Sequence, residues 1–350
     1  EYSAWVSQLL YEIFTPHLPE DLIILVQGGP RVGARLVEEV DAIGFTGSLM
    51  VGREISQRAG ARMIPASLEL GGKDLAVVFG DADLKRTSAG IAWGALTNAG
   101  QNCSAIEILC LEEPIKHPFL THLREEVQRM ARFVGPLIHE GQLEKVLGQI
   151  EEAMGMGALA LEGGAPEPNS LRLPPTLLDR VPLESTLIRE ETFGPVLPII
   201  TFRDLREVEA LLESSRYGLT LSLWTRNIER ALHFAVGKPV GVITINNHAF
   251  TAAIPSLPWS GVKGSGLGVT NSPYALEWLT RPQAVLVDRS PMRELWWHPY
   301  TPSALELARG MTALRLGRFS LSSLWKTIKG FFRRWKEEKI APSGTGENSE

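Results

Sequence analysis

The chain reads as an α/β protein of two sheet-bearing domains followed by a helical extension. Three observations predict this. Short apolar runs alternate with segments of helical period from residue 6 to residue 246, Gly- and Pro-containing turns separate them, and after residue 316 the pattern becomes one basic amphipathic stretch.

The elements follow in order. Val6, Leu9, Leu10 and Ile13 fall at helical spacing, and the apolar run Leu22 to Val26 predicts a buried strand. Gln27-Gly28-Gly29-Pro30 makes a turn, with Pro30 suited to the first helical position and Val32, Leu36 and Val37 on one helix face. A strand over 42–45 runs into Thr46-Gly47-Ser48, and Val51, Ile55 and Ala59 mark the next helix. Strand, Gly turn, helix is an arrangement that presents backbone N–H groups to a phosphate, although plain turn chemistry is the commoner reason for such a Gly. Gly28, Gly29 and Gly33 do not match GxGxxG.

From Leu70 onward the pattern predicts a strand over 75–79, a helix over 83–98 capped by Asp83, a strand over 105–111, and helices over 116–132 and 141–154. Strands over 196–202, 219–225 and 240–246 then alternate with helices over 204–215 and 228–236, and loops occupy 163–175 and 254–268. From Leu316 to Lys339, Phe319, Leu321, Leu324, Trp325, Ile328, Phe331, Phe332 and Trp335 are interleaved with Lys326, Lys329, Arg333, Arg334 and Lys336. Such a helix lies on an anionic membrane surface or docks on its own protein or a partner subunit. Residues 341–350 read as a disordered tail.

Composition narrows the function. With 44% apolar residues the chain can bury a substantial core, and a net charge of −5 carries no polyanion-binding signature, so nucleic acid is not an expected partner. Two cysteines, Cys103 and Cys110, are too few for a disulfide framework and point to a reducing, cytoplasmic setting. Scattered histidines and the lack of a CxxC pair give no metal-ligand spacing. The N-terminus resembles no secretory signal and lacks an initiator Met.

Four segments carry the chemistry: LELGGKD at 68–74, AGQNCSA at 99–105, EETFGPV at 190–196 and PWSGVKGSGLG at 258–268. In this order they resemble the signature segments of the NAD(P)-dependent aldehyde dehydrogenase superfamily, and the resemblance covers most of residues 1–288. It implies an aldehyde-dehydrogenase-like α/β fold in which residues 1–69 are the C-terminal half of a Rossmann-type NAD(P)-binding domain and residues 70–268 the catalytic domain. Residues 269–289 would be a return helix and oligomerisation strand, the strand near Ala284 to Asp288, and residues 290–340 an amphipathic helical extension. The N-terminal part of the cofactor domain would lie upstream.

The implied reaction is oxidation of an aldehyde to a carboxylic acid, with NAD or NADP as cofactor, through a cysteine thiohemiacetal and thioester. Cys103 is the expected nucleophile. A free thiol has a pKa of about 8.5, so a local positive field or donor is expected to favour its thiolate. Glu69, flanked by Leu68 and Leu70, is the expected base that activates the hydrolytic water. Its presence favours acid formation over a CoA-acylating reductase; a catalytically impaired scaffold is the other alternative. Cys110, in an apolar run, is expected to be a buried packing residue.

The resemblance places Glu191, Phe193, Gly47, Ser48 and Leu70 at the cofactor, and Glu1 at the adenosine ribose. Leu49 and Met50 depart from the family pattern and weaken the match after Ser48. Asn246 and Asn247 contact substrate or cap a strand end, and Trp259 lines the substrate tunnel or packs in the core. Lys73 and Lys263 are expected to be structural or surface residues, and Asn98 and Gln101 to shape the thiol loop. The family implies a homodimer or homotetramer. The basic tail makes long-chain aliphatic aldehydes an attractive substrate and adds the possibility of peripheral membrane contact through 316–339.

Overall fold

A computed structural model describes residues 2–289, 297, 300–317 and 320–340. Contacts divide it into two units that meet at Arg281 and Pro282, and each is described by itself. Glu1, the tail 341–350 and Phe319 lie outside the described residues.

The first unit holds two sheets. The smaller has the order β1-β2-β10, with β1 (Ile43–Thr46) parallel to β2 (Ala66–Glu69) and β10 (Gly266–Leu267) antiparallel to β2. Glu69, the last residue of β2, is opposite Gly266, so the far end of the unit closes over the predicted base. The larger sheet has the order β5-β6-β7-β4-β3-β8-β9. Its strands are β3 (Asp74–Val78), β4 (Ile106–Glu112), β5 (Leu159–Glu162), β6 (Thr176–Asp179), β7 (Val196–Phe202), β8 (Thr220–Trp224) and β9 (Val242–Ile245). All neighbours are parallel except β5 and β6.

Helices α1 (Ala4–Phe14), α2 (Pro30–Glu39) and α3 (Leu49–Ala61) belong to the first stretch of chain. Helices α4 (Leu84–Leu96), α5 (Lys116–Ala131), α6 (Glu140–Gly155), α7 (Thr186–Arg189), α8 (Leu205–Ser214) and α9 (Ile228–Ala235) accompany the large sheet, and α10 (Tyr274–Glu277) follows it. Val, Leu and Ile fill β3 and β4 because a parallel strand covered on both faces has no solvated side to accommodate polar residues. The main core, with Val77, Leu109 and Phe119 inside it, therefore sits around this sheet.

Two features differ from expectation. Residues 22–26 form no strand, and Leu22, Ile24 and Val26 are exposed. A strand needs a neighbour for its backbone N–H and C=O groups, and β1 is the edge of the small sheet with only β2 beside it. The helix predicted over 83–98 stops at Leu96, because Asn98 (φ 54°) and Ala99 (φ 57°) are left-handed and cannot continue it. Periodicity missed the short strands β2, β5, β6 and β10.

In the second unit, residues 284–288 have no helix or strand assignment, and α11 (Pro302–Arg315) is followed by α12 (Leu321–Ile340).

Candidate active site

The large sheet aligns the amino ends of its central strands, and the four motif segments meet there. Register puts Asp74 opposite Ile106 and Leu75 opposite Leu221, while Val196 begins β7 just after the 190–194 loop. Cys103 therefore precedes β4, Glu69 precedes β3, and Glu191 precedes β7 at one end of the large sheet.

The thiol loop is built by backbone geometry. Asn98, Ala99 and Gly100 have φ values of 54°, 57° and 69°, and Gly100 lies against the Gly194 carbonyl with no room for a side chain. Gln101 locks the turn: its amide donates to the carbonyls of Asn98 and Pro136 and accepts from the Ile138 N–H. Cys103 emerges half-buried against Leu219, Val242 and Trp259. Burial, followed by the Asp74 and Glu69 carboxylates, pushes its thiol up to about 11, and the Ser104 N–H only partly offsets this. The expected positive field is not supplied by these neighbours, which are acidic. Cys110 is fully buried inside β4, as an apolar residue there should be.

Glu69 is buried, and its Oε1 accepts from the Thr270 hydroxyl at 3.1 Å. Burial pushes its carboxyl up to about 7, opposed by the hydrogen bond from Thr270. A carboxyl poised near neutral pH can hold or release a proton under working conditions. The Trp259 side chain opposes the same shift by hydrogen bonding to this carboxyl, and Oε2 is buried.

The 190–194 loop is held from beneath. Lys73 is buried and donates to Glu107 at 2.6 Å and to Thr192 Oγ1 at 2.9 Å. Glu107 in turn accepts from the N–H groups of Thr192 and Phe193, both at 2.8 Å, and the Gln142 amide donates to the carbonyls of the same two residues. This network pins Phe193 at φ 55°. Glu191 is thereby set over Gly71, where any side chain would strike its carboxylate, and it accepts from the Gly72 N–H at 3.3 Å. Burial first and Glu107 second push the Glu191 carboxyl up to about 7.

A cleft of about 650 Å³ separates this loop from the start of α3 and is lined by Ser48, Leu49, Arg53, Lys145, Glu191 and Tyr217. A nucleotide cofactor fits the donor set. A carboxylate can accept two ribose hydroxyls, while the first-turn N–H groups of α3, Arg53 and Lys145 suit phosphate oxygens.

Comparison with known proteins assigns the chain to a family. The model of the aldehyde dehydrogenase family matches residues 1–285. The chain belongs to the aldehyde dehydrogenase family. It is 33% identical over 361 residues to a 4,4'-diapolycopene aldehyde oxidase of Methylomonas sp, covering 97% of this chain and 68% of that one. Among solved structures, it resembles a Mycobacterium tuberculosis aldehyde dehydrogenase complexed with NAD+, with TM-score 0.76 and 30% identity over 81% of this chain and 61% of that one. It also resembles an NADP-dependent glyceraldehyde-3-phosphate dehydrogenase from Bacillus halodurans C-125 complexed with NADP, with TM-score 0.72 and 36% identity over 78% and 59% of the two chains. The chain thus spans about six-tenths of the length of these two structures.

Other predicted positions of this aldehyde dehydrogenase chain divide. Gly47 spends its N–H on the Glu69 carbonyl at 3.1 Å, so it is not available to a phosphate. Ser48 is the N-cap of α3 and accepts from the Val51 N–H. Leu70 donates its N–H to the Ser265 carbonyl at 2.9 Å and packs on Gly52 of α3, tying the two sheets together. Asn246 corrects the substrate reading. Its amide brackets Thr225, accepting from its N–H and donating to its carbonyl, so the side chain caps a strand end. Trp259 is buried beside Cys103, belonging to the core and bordering the thiol. Lys263 is structural: it donates to the carbonyls of Leu212, Glu213 and Ser215, completing the C-terminal end of α8.

Sequence reasoning missed three contributors. Thr270 lies two residues past the fourth motif. Asp74, buried, accepts from the Thr220 N–H and hydroxyl and joins β3 to β8 beneath the thiol. His248 is buried with Nε2 at 2.6 Å from the Ser104 carbonyl, so Nε2 carries a proton and donates it. Burial pulls His248 down to about 4, consistent with that tautomer. Thr270 and His248 adjoin segments the sequence had marked, which was the available signal.

Proposed function

We propose that the protein of which this chain is part oxidises aldehydes to carboxylic acids with NAD or NADP. The observation that carries the reading is the convergence of one half-buried thiol, a carboxyl poised near pH 7, and a second carboxylate fronting a nucleotide-sized cleft. Glu191 would hold a ribose, and the start of α3 with Lys145 the phosphates. The nicotinamide, when bound, supplies the hydride acceptor and the positive charge that the thiol's surroundings lack.

Cys103 adds as thiolate to the aldehyde carbon, giving a tetrahedral thiohemiacetal whose oxygen needs a donor; the Cys103 backbone N–H is the one expected from this chain. Loss of hydride leaves a thioester. Glu69 then takes a proton from water as the hydroxyl attacks the thioester carbon, the C–S bond breaks, and the acid leaves with the thiol restored. Thr270 keeps the Glu69 carboxyl oriented during this step.

The test is an assay of reduced-nicotinamide absorbance on the full-length gene product with aldehydes of graded length. Cys103→Ala should abolish turnover, while Glu69→Gln should form the acyl-enzyme and stall there. Undiminished oxidation by Cys103→Ala would overturn the assignment, and release of acyl-CoA in place of acid would favour a CoA-acylating reductase.

The finer readings belong to the same proposal. Long-chain aliphatic aldehydes are the favoured substrates, since the relative matched over nearly the whole chain is named for a diapolycopene aldehyde. Assembly as a homodimer or homotetramer through 284–288 is supported by the exposure of Val285, Leu286 and Val287. The split at residue 69, a cytoplasmic location and peripheral membrane contact through 316–339 complete the reading.

A further inference from the structure

The second unit is packed inside out for a helical hairpin. Pairing of Leu307 with Gly330 and of Gly310 with Thr327 sets α11 antiparallel to α12, and both glycines allow an approach that a side chain would block. The interface buries Ser303, Leu307 and Gly310 from α11, and Ser323, Gly330 and Arg334 from α12. Arg334 donates to the Trp297 carbonyl at 2.7 Å, and Glu337 accepts from the hydroxyls of Thr301 and Ser303 at 2.8 and 2.5 Å. Small and polar residues thus hold the helices together.

The apolar side of α12 faces away. Leu321, Trp325, Ile328 and Phe332, at i, i+4, i+7 and i+11, form one stripe and are 82%, 64%, 38% and 56% exposed. Phe331 stands beside it with its ring against that of Phe332 at 5.7 Å. Lys326, Lys329 and Lys336 are exposed on the same helix, and residues 300–340 contain nine Lys or Arg against three Glu. No helix among the described residues is long and apolar enough to cross a membrane.

We propose that this stripe is a preformed docking face for an anionic lipid bilayer. The inference deepens the peripheral-contact part of the proposed function: it names the face, and it makes the hairpin fold independent of the lipid. Trp and Phe suit the boundary between headgroups and acyl chains, and the lysines meet the phosphates above it. A helix whose polar side is already taken by α11 can bury only its apolar side, so the bilayer is entered along the length of α12 and not by its end.

The test is flotation of the full chain with phosphatidylglycerol-containing vesicles and with phosphatidylcholine vesicles, without aldehyde or cofactor, so that it is independent of catalysis. The chain should float with the anionic vesicles, at least tenfold less with the zwitterionic ones, and should be released by high salt. Trp325→Ser with Phe332→Ser should reduce flotation at least tenfold while circular dichroism keeps its helix content. Lys326→Gln with Lys329→Gln should lose most of the preference for anionic lipid. Equal flotation of parent and the Trp325→Ser, Phe332→Ser variant would overturn the proposal. So would a soluble parent that dimerises through this face, assigning the stripe to a second copy, or a soluble monomer with Trp325 shielded from aqueous quenchers, assigning it to the body of the chain.

Discussion

Two stretches of the first unit carry the same strand-and-helix patterning and end in opposite states. Around the large sheet, apolar periodicity becomes burial: β3 and β4 are almost wholly enclosed and α5 hides Phe119, Leu120 and Leu123. Along residues 4–26, α1 forms at the predicted place but has no buried residue, and the run 22–26 stays unpaired. Periodicity therefore dictates which conformation a segment can take, whereas burial depends on a neighbour having the complementary face. The chain's chemistry sits in the stretch that has such neighbours.

The widest separation should be between an enclosed ion pair and a surface one in the same unit. Lys73 and Glu107 are both nearly inaccessible, and the pair also holds Thr192 and Phe193 in place. Removing one member of a buried pair strands the other, at a cost of about 3–5 kcal/mol. Lys73→Met should therefore lower the stability of the first unit by that order in urea titrations and loosen the 190–194 loop. Arg35, paired with Glu38 and Glu39 on exposed α2, should tolerate replacement by Ala at a cost of roughly 0–1 kcal/mol. A Lys73→Met loss as small as the Arg35→Ala loss would mean that the network is decoration.

The thiol sharpens the contrast between a buried site and a reactive one. With its pKa near 11 in place of 9.0, Cys103 should be alkylated about a hundredfold more slowly at pH 8 than an ordinary thiol, because each unit costs a factor of about ten in thiolate. The rate should keep climbing past pH 9, and addition of oxidised cofactor should raise it at constant pH. A plateau near pH 8 in the bare chain would show that burial and the neighbouring carboxylates do not govern the sulfur. Cys110, buried and pushed up to about 12, should remain unlabelled in the folded protein.

What the sequence could reveal follows from the range of the forces involved. The central strands of the large sheet and its longer helices were legible because side-chain period is local, and strand 196–202 falls where the apolar run lies, whereas the four-residue strands β5 and β6 are too short to show a period. The motif residues Cys103, Glu69 and Glu191 were legible through their segments, and the structure brings all three to the amino ends of neighbouring strands. Thr270 was not, since its partner Glu69 is 201 positions away and a lone Thr has no pattern. Nor was the acidity around Cys103, which depends on Asp74 lying beneath it. Asn246 was ambiguous for the opposite reason: an Asn after a strand serves a cap and a ligand equally well until Thr225 is seen between its amide atoms. On α12, period identified the amphipathic helix but could not say which side its neighbour would take.

The smallest expected effect concerns the charge of Glu69. Its folded-state pKa is raised from 4.5 to about 7, so the folded chain binds the proton more tightly than the unfolded chain. Its contribution is fully present below pH 4.5, falls as pH rises through the interval to 7, and is gone above it. Glu191 adds a slope of the same sign over the same interval. His248, pulled from 6.5 down to about 4, has the opposite sign: its contribution is present above 6.5 and lost as pH falls toward 4. The total pH profile mixes these, so the informative quantity is a difference. Glu69→Gln should match the parent near pH 4 and be more stable at pH 8 by about 1–2 kcal/mol, allowing for solvent at this partly wetted site. Thermal melts of both proteins across that range supply the difference curve. If it is flat, Glu69 is ionised at no cost, and a carboxyl poised for proton transfer near neutral pH is not what this site contains.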